Sequence, residues 1–102
     1  MVIKEPQKDL VVPSFVKVVA DIERNVLSYG CELHIDCAEE LMRDGSVSGN
    51  LWGANVYFEE KKIDCVSLIN IRPLDNNRSM RIELPDIKEE VERIIKLLIP
   101  FQ

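Results

Sequence analysis

Three residues that could carry out chemistry lie close together in the first half of the chain. Glu32, His34 and Asp36 alternate with apolar residues, so on a β-strand their side chains would share one face, about 7 Å apart. Two carboxylates and an imidazole can bind a divalent metal ion, or can orient His34 as a general base near neutral pH. The structural alternative pairs Glu32 with Lys17 across a hairpin and makes Asp36 a helix cap. His34, the only histidine of the chain, is the candidate catalytic residue.

A second polar group is expected where later strands end. Asn70 and Arg72 end one predicted strand and Arg78 follows in a turn, so two guanidinium groups could meet a small anionic ligand there. The alternative is that both arginines neutralise carboxylates of an acidic chain. Asn55 and Tyr57 are predicted on the same face. The expected ligand or interface residues are therefore Glu32, His34, Asp36, Asn55, Tyr57, Asn70, Arg72 and Arg78.

The cysteines predict free thiols. Cys31, Cys37 and Cys65 are odd in number and lack Cys-x-x-Cys spacing, which argues against a disulfide framework and a zinc site. On one strand, the odd offset between Cys31 and His34 places their side chains on opposite faces, so His34 cannot serve Cys31 as a base. We expect three buried, unreactive thiols.

The segment from Phe15 to Gly30 fits either a helix or a β-hairpin. Its apolar residues recur at helical spacing, whereas its valines favour a strand. A two-residue turn at Arg24-Asn25 keeps one face of a hairpin apolar, and this favours the hairpin. The predicted cross-strand pairs are Ile22 with Leu27, Ala20 with Tyr29, Val18 with Cys31 and Val16 with Leu33.

The remaining elements follow from alternation, helical spacing and turn residues. We predict that the second strand continues through Cys31, Leu33, Ile35 and Cys37, and that a short helix follows from Cys37 to Asp44 with an Asp36–Glu39 capping box. Strands over 51–58 and 63–72 are predicted to form a second hairpin that pairs Phe58 with Ile63. A candidate edge strand at Met80, Ile82 and Leu84 precedes a last helix, which Asp86 caps and which ends at Pro100. These elements predict a single two-layer α+β domain over residues 1–102. Its antiparallel sheet has four or five strands, with the middle and C-terminal helices on one face. The other face stays open and partly apolar, which predicts a homodimer or another partner there.

Composition excludes several function classes. With 18 acidic and 13 basic residues the formal net charge is -5, which disfavours nucleic acid and anionic membranes as partners. The chain has no apolar run of about 18 residues and no signal-peptide pattern, so we expect a cytoplasmic protein. No motif predicts a cofactor.

Several sequence blocks resemble those of a known family. The blocks are Val19–Glu23, Glu32–Asp36, Asp44–Ser46, Leu51–Asn55 and Ser67–Pro73 followed by Asn77–Ser79. Together they resemble a family of prokaryotic proteins, about the length of this chain, described only as a domain of unknown function. The chain departs from the family pattern at Asn25 and Cys31, where glycine is expected, and at Phe58, where proline is expected. The resemblance implies a stand-alone prokaryotic domain, and it implies no activity, substrate or cofactor.

These observations favour a non-enzymatic module that self-associates, or that binds a ligand or protein, through the outer face of its sheet. The alternative is a small metal-assisted hydrolase that uses Glu32, His34 and Asp36, with Arg72 stabilising an oxyanion or a phosphate.

Overall fold

The protein is an α+β domain built on a five-stranded antiparallel sheet, as the sequence predicts. A computed structural model describes residues 1–101. The strands are β1 (Val2–Ile3), β2 (Phe15–Asp21), β3 (Val26–Tyr29), β4 (Leu51–Tyr57) and β5 (Lys62–Asp64), and the helices are α1 (His34–Arg43) and α2 (Pro85–Leu98). The spatial order of the strands is β1-β3-β2-β4-β5. Among residues 1–101, neither helix has the length and apolar composition needed to cross a bilayer.

The segment between Phe15 and Gly30 is a hairpin of β2 and β3, which confirms the hairpin over the helix. The predicted pairing is wrong by two residues, because Leu27 pairs with Ala20 rather than with Ile22. The turn is longer than predicted: Asp21 Oδ1 accepts hydrogen bonds from the backbone amides two and three residues ahead, each at 2.9 Å, and Asn25 closes the turn with a φ of 57°. A shift of two residues preserves the face on which each side chain lies, so the predicted faces are retained.

The two helices pack on opposite faces of the sheet, so the prediction that both share one face is wrong. Helix α2 packs against the even-numbered residues of β2 and β4, while α1 packs against Val19 of β2 and Val26 of β3. Both faces of β2 are buried, which is why its sequence is nearly continuous in apolar residues. The α1 side includes the face that the sequence predicts to be open.

The predicted strand through Glu32 and Asp36 is wrong, because His34 begins helix α1. Strand β3 ends at Tyr29, and Gly30 turns the chain away from the sheet with a φ of +83°. Helix α1 starts three residues before the predicted helix and buries its face through Cys37, Ala38 and Leu41. The predicted capping box does not form, since the N-cap residue is Leu33 and it makes no side-chain cap. Leu33 and Ile35, predicted to face inward, are 57% and 46% exposed.

The second hairpin, of β4 and β5, is shorter than predicted and is also shifted by two residues. Ile63 pairs with Val56 rather than with Phe58, and β5 already ends at Asp64. The chain then forms two 3₁₀ turns, Leu68–Asn70 and Pro73–Asp75. The predicted edge strand at Met80 to Leu84 is reduced to one bridge between Val66 and Arg81, and the fifth strand is instead β1, which pairs with β3. Helix α2 begins at Pro85, one residue before the predicted Asp86 cap.

A buried asparagine takes the place of a strand at the edge of β4. The Asn70 side chain accepts from the Gly53 amide at 2.8 Å and donates to the Gly53 carbonyl at 3.0 Å, the pair of bonds that a neighbouring strand would make. It also donates to the Met80 carbonyl at 3.1 Å. Asn77, equally buried, donates to the Asn70 carbonyl at 2.7 Å. These two amides hold the segment between β5 and α2 against the sheet.

Replacing the Asn70 amide by a carboxylate should destabilise the protein strongly. Asn70→Asp removes both N–H donors and places a buried negative charge against two carbonyl oxygens, so we expect the free energy of unfolding to fall by about 3 kcal/mol or more. The matched control is Asn76→Asp, at an exposed turn position, where we expect a change within about 0.5 kcal/mol. Urea denaturation measures both. Equal effects of the two substitutions would contradict the structural role of Asn70.

Candidate functional site

A pocket of about 320 Å³ lies on the α1 side of the sheet, beyond the end that α1 covers. Its walls come from β2, β4, the start of α1 and the segment between β5 and α2. The lining side chains are mostly apolar. They are Phe15, Lys17, Leu33, His34, Ile35, Asn55, Val66, Ser67, Leu68, Ile69 and Met80.

His34 is the titratable group of this pocket whose protonation the structure perturbs. Its Nε2 lies 2.9 Å from the Ala54 carbonyl oxygen, and because a carbonyl only accepts, Nε2 carries the hydrogen in the neutral ring. Burial, helped by the nearby positive charge of Lys17, lowers the pKa of His34 below its ordinary value. The ring is therefore neutral at pH 7, with its Nδ1 lone pair available as an acceptor. The Asn55 side chain lies beside the ring and raises the pKa of His34 by less than burial lowers it.

Gly53 makes room for His34 against the sheet. A Cβ at Gly53 would lie 2.6 Å from Ser67 Cβ and 3.1 Å from His34 Cδ2. The contact with Ser67 is closer than carbon atoms tolerate and the contact with His34 is tight, so glycine lets these two side chains approach the backbone of β4 closely.

The rim of the pocket gathers exposed apolar side chains. Twelve large apolar residues are exposed among residues 1–101, and five of them line this pocket. The five are Phe15, Leu33, Ile35, Leu68 and Met80, with Leu68 the most exposed at 74%. Their grouping is unlike the scattered single residues of an ordinary surface and is typical of a binding site.

Only part of the predicted site comes together at this pocket. His34 and Asn55 line it, and Tyr57 lies beside it, with its ring 4.9 Å from that of Phe15. Asn70 does not line the pocket, but its side chain forms two hydrogen bonds with the backbone of Gly53. Glu32, Asp36, Arg72 and Arg78 do not line it.

Arg72 acts as a structural clamp. Its guanidinium carbon lies 3.8 Å from the centre of the Trp52 ring, and its N–H groups donate to the backbone carbonyls of Leu51, Gly49 and Ile69. Burial lowers the pKa of Arg72. Because its donors are already engaged with carbonyls, Arg72 has little capacity left for a bound anion, and the predicted anion site with Arg78 stays a prediction.

Glu32, His34 and Asp36 do not form the predicted metal-binding triplet. They lie on a loop and the first turn of α1 rather than on one strand. Across residues 1–101, no three carboxylate, imidazole or thiol groups are arranged to hold a metal ion. The hydrolase alternative therefore loses its ligand set.

The prediction of three free thiols is wrong for two of them, because Cys31 and Cys37 form a disulfide. Their Cα atoms are 5.7 Å apart, within the roughly 7 Å that a disulfide allows. An extended strand would separate them by about 20 Å, so the incorrect strand assignment concealed the bond. Cys65 is free and buried as predicted, and burial raises the pKa of its thiol to about 12, which leaves it protonated and unreactive.

Lys17, Ser67 and Leu68 line the pocket, although the sequence pattern does not predict this role for them. Ser67 and Leu68 lie where β5 was expected to continue, and the 3₁₀ turn there depends on Asn70 reaching β4. One available signal was Gly53 within a strand, because an interior strand glycine often marks a close approach.

A family model described as "Protein of unknown function (DUF5674)" matches residues 3–98. This match confirms the resemblance carried by the sequence blocks. Comparison with the curated proteins and with the solved structures gives no significant match.

Filling the space at Gly53 should displace His34 and destabilise the fold. Gly53→Ala places a methyl group against Ser67 and the imidazole, and we expect it to lower the free energy of unfolding by about 1–3 kcal/mol and to move the imidazole NMR signals. The control is Gly49→Ala, where an added Cβ meets nothing within 4 Å and no comparable loss is expected. A fully stable Gly53→Ala protein with unchanged imidazole signals would show that His34 does not depend on this contact.

The lowered pKa of His34 predicts a pH-dependent stability. Because the folded protein releases the His34 proton at a lower pH than the unfolded chain, the unfolded chain binds more protons and stability falls as the pH drops below about 6.5. We expect the wild type to lose more stability between pH 7 and pH 5 than His34→Gln, which retains an N–H donor for Ala54. Urea denaturation at each pH measures the difference, and the single imidazole gives its own pKa by NMR. A pKa at or above 6.5 would contradict the burial argument.

Proposed function

The chain belongs to the DUF5674 family, whose description names no activity, and we propose its function from the geometry of the His34 pocket. The protein is a non-catalytic binding module that holds a small, largely apolar ligand there. The observation that carries the proposal is the grouping of five exposed apolar side chains around one pocket that also holds a neutral histidine.

The apolar rim supplies the affinity. Each large aliphatic side chain that a ligand removes from water contributes roughly 1.5–3 kcal/mol when burial is complete. Leu68 and Leu33 are more than half exposed and border the same opening. A ligand bound between them would make apolar contacts with both side chains.

The polar groups of the pocket select the ligand. His34 Nδ1 is an acceptor, and Asn55 Oδ1 is buried without a hydrogen-bond partner among residues 1–101. Both call for a donor, such as a hydroxyl or an N–H group. Lys17 is the one charged residue of the lining, and it favours a neutral or anionic ligand over a cation. The ligand class is therefore an apolar molecule with a hydrogen-bond donor and no positive charge.

Binding is better supported than catalysis. The tautomer fixed by Ala54 would suit a general base, but no hydroxyl or thiol group in residues 1–101 forms a hydrogen bond with His34. Self-association is a second candidate, favoured by the same exposed rim. A second copy placed there would compete with a small ligand for Leu68.

The probe 8-anilinonaphthalene-1-sulfonate fits the proposed ligand class, because it combines apolar rings with an N–H donor and a negative charge. We expect the fluorescence of the probe to increase when it binds the native protein. Leu68→Gln should raise the dissociation constant roughly tenfold, the equivalent of about 1.4 kcal/mol of lost apolar contact. The matched control is Leu74→Gln, a fully exposed leucine outside the pocket, which should leave binding unchanged.

Light scattering on the same samples separates the two candidates. A monomer that binds the probe through Leu68 supports the ligand pocket. A dimer that excludes the probe, and that Leu68→Gln converts to a monomer, would overturn the ligand proposal in favour of self-association. Equal effects of the two leucine substitutions would contradict both.

A further inference from the structure

The Cys31–Cys37 disulfide closes a ring that contains one wall of the pocket. Between the two cysteines lie Leu33, His34 and Ile35, all of which line the pocket. Cys37 is anchored in the core, 1% exposed and packed with the α1 face. The bond therefore ties the loop before α1 to the buried side of the helix.

Few other interactions hold this loop. Gly30 donates to the Lys17 carbonyl at 3.0 Å and Asp36 donates to the Leu33 carbonyl at 3.0 Å. Between these two bonds, in the described chain, no backbone amide of residues 31–33 is hydrogen-bonded to the sheet. Opening the disulfide would leave a short segment free to change conformation at the pocket wall.

The two cysteines of the disulfide differ in exposure. Cys31 is partly exposed, whereas Cys37 is buried. Cys31 also lines a second groove of about 480 Å³, together with Glu32 and Gly30, and this groove shares Lys17 but not His34 with the first pocket. An attacking thiol can therefore approach Cys31 without entering the His34 pocket.

We propose that Cys31–Cys37 is a thiol–disulfide exchange site for low-molecular-weight thiols, and that its reduction opens the His34 pocket. The claim about the pocket's ligand rests on the proposed function, while the claim about the disulfide does not. Reversible disulfides of this kind occur where the compartment is kept reducing and the bond serves as a sensor.

The exchange takes place in two steps. A thiolate of the small thiol attacks Cys31 Sγ, forming a mixed disulfide as the bond to Cys37 breaks, and the Cys37 sulfur leaves as a thiolate that takes up a proton. A second thiolate then attacks the small-molecule sulfur of the mixed disulfide, releasing the oxidised small disulfide and the Cys31 thiolate, which is protonated in turn. The protein gains two electrons and two protons, and two small thiols are oxidised. Cys65 takes no part, because its thiol is buried and protonated.

Reduction by glutathione of the native, full-length chain tests the exchange. We expect reduced glutathione to open the bond without denaturant. After the glutathione is removed and the chain is denatured, a maleimide reagent should label two more thiols than in the untreated protein. The Cys65→Ser protein should behave identically. A bond that opens only in denaturant would overturn the proposal and identify the disulfide as a permanent crosslink.

The imidazole signal of His34 tests the coupling. On reduction we expect the His34 signals to move and its pKa to rise toward the ordinary value, because the ring becomes more solvated. The dissociation constant for 8-anilinonaphthalene-1-sulfonate should rise about fivefold or more, the lower range for coupled sites. The Cys31→Ser/Cys37→Ser protein should reproduce the reduced state, and reduction of the wild type keeps the test valid if that variant does not fold.

The outcomes separate the two proposals. If reduction leaves the His34 signals and probe binding unchanged, the coupling is wrong. If the His34 signals move but neither redox state binds the probe, the exchange site and its effect on His34 stand and the ligand pocket is wrong.

Discussion

The central strands β2 and β4 are buried on both faces, and the rest of the structure depends on how each face is covered. Helix α2 covers one face with four buried aliphatic side chains. On the other face α1 has only ten residues, about 15 Å of helix. Its buried side chains pack with Val19 and Leu51, and only its first turn borders Lys17 and Asn55. The pocket is the uncovered end of that face, so a short helix on a longer sheet is the origin of the candidate site.

Side-chain amides and a guanidinium complete the structure where backbone pairing stops. Beyond Asp64 the β4 edge loses its neighbouring strand, and Asn70 supplies the missing bonds to Gly53. Asn77 then holds the following turn through the Asn70 and Arg81 carbonyls. Each of these buried groups is satisfied by backbone partners, which is what makes a polar segment compatible with burial. The polar residues of this segment are therefore architectural, and their effect on function is to present Ser67 and Leu68 to the pocket.

Local patterns were sufficient for much of the fold. The class, the first hairpin, β4 and the buried stripe of α2 follow from alternation, turn residues and helical spacing. The segment from Cys31 to Cys37 could not be read this way, because it alternates as regularly as a strand while tertiary packing and a covalent bond favour a helix from His34. Asn55 was placed in the site by a face assignment that survives the register shift. His34 reaches the site from the first turn of α1 rather than from the predicted strand, and Leu68 depends on a turn that the Asn70 contact holds in place.

His34 is held from two sides, and this connects the pocket to the disulfide. Its imidazole is bound to the sheet through the Ala54 carbonyl, while its backbone belongs to the first turn of α1, inside the ring closed by Cys31 and Cys37. A movement of the helix start must therefore either carry the imidazole away from Ala54 or rotate its side chain. Both changes alter the exposure of Nδ1, the acceptor assigned to the proposed ligand. Because residues 31–33 lack backbone bonds to the sheet, the disulfide is the covalent restraint that keeps this acceptor in place.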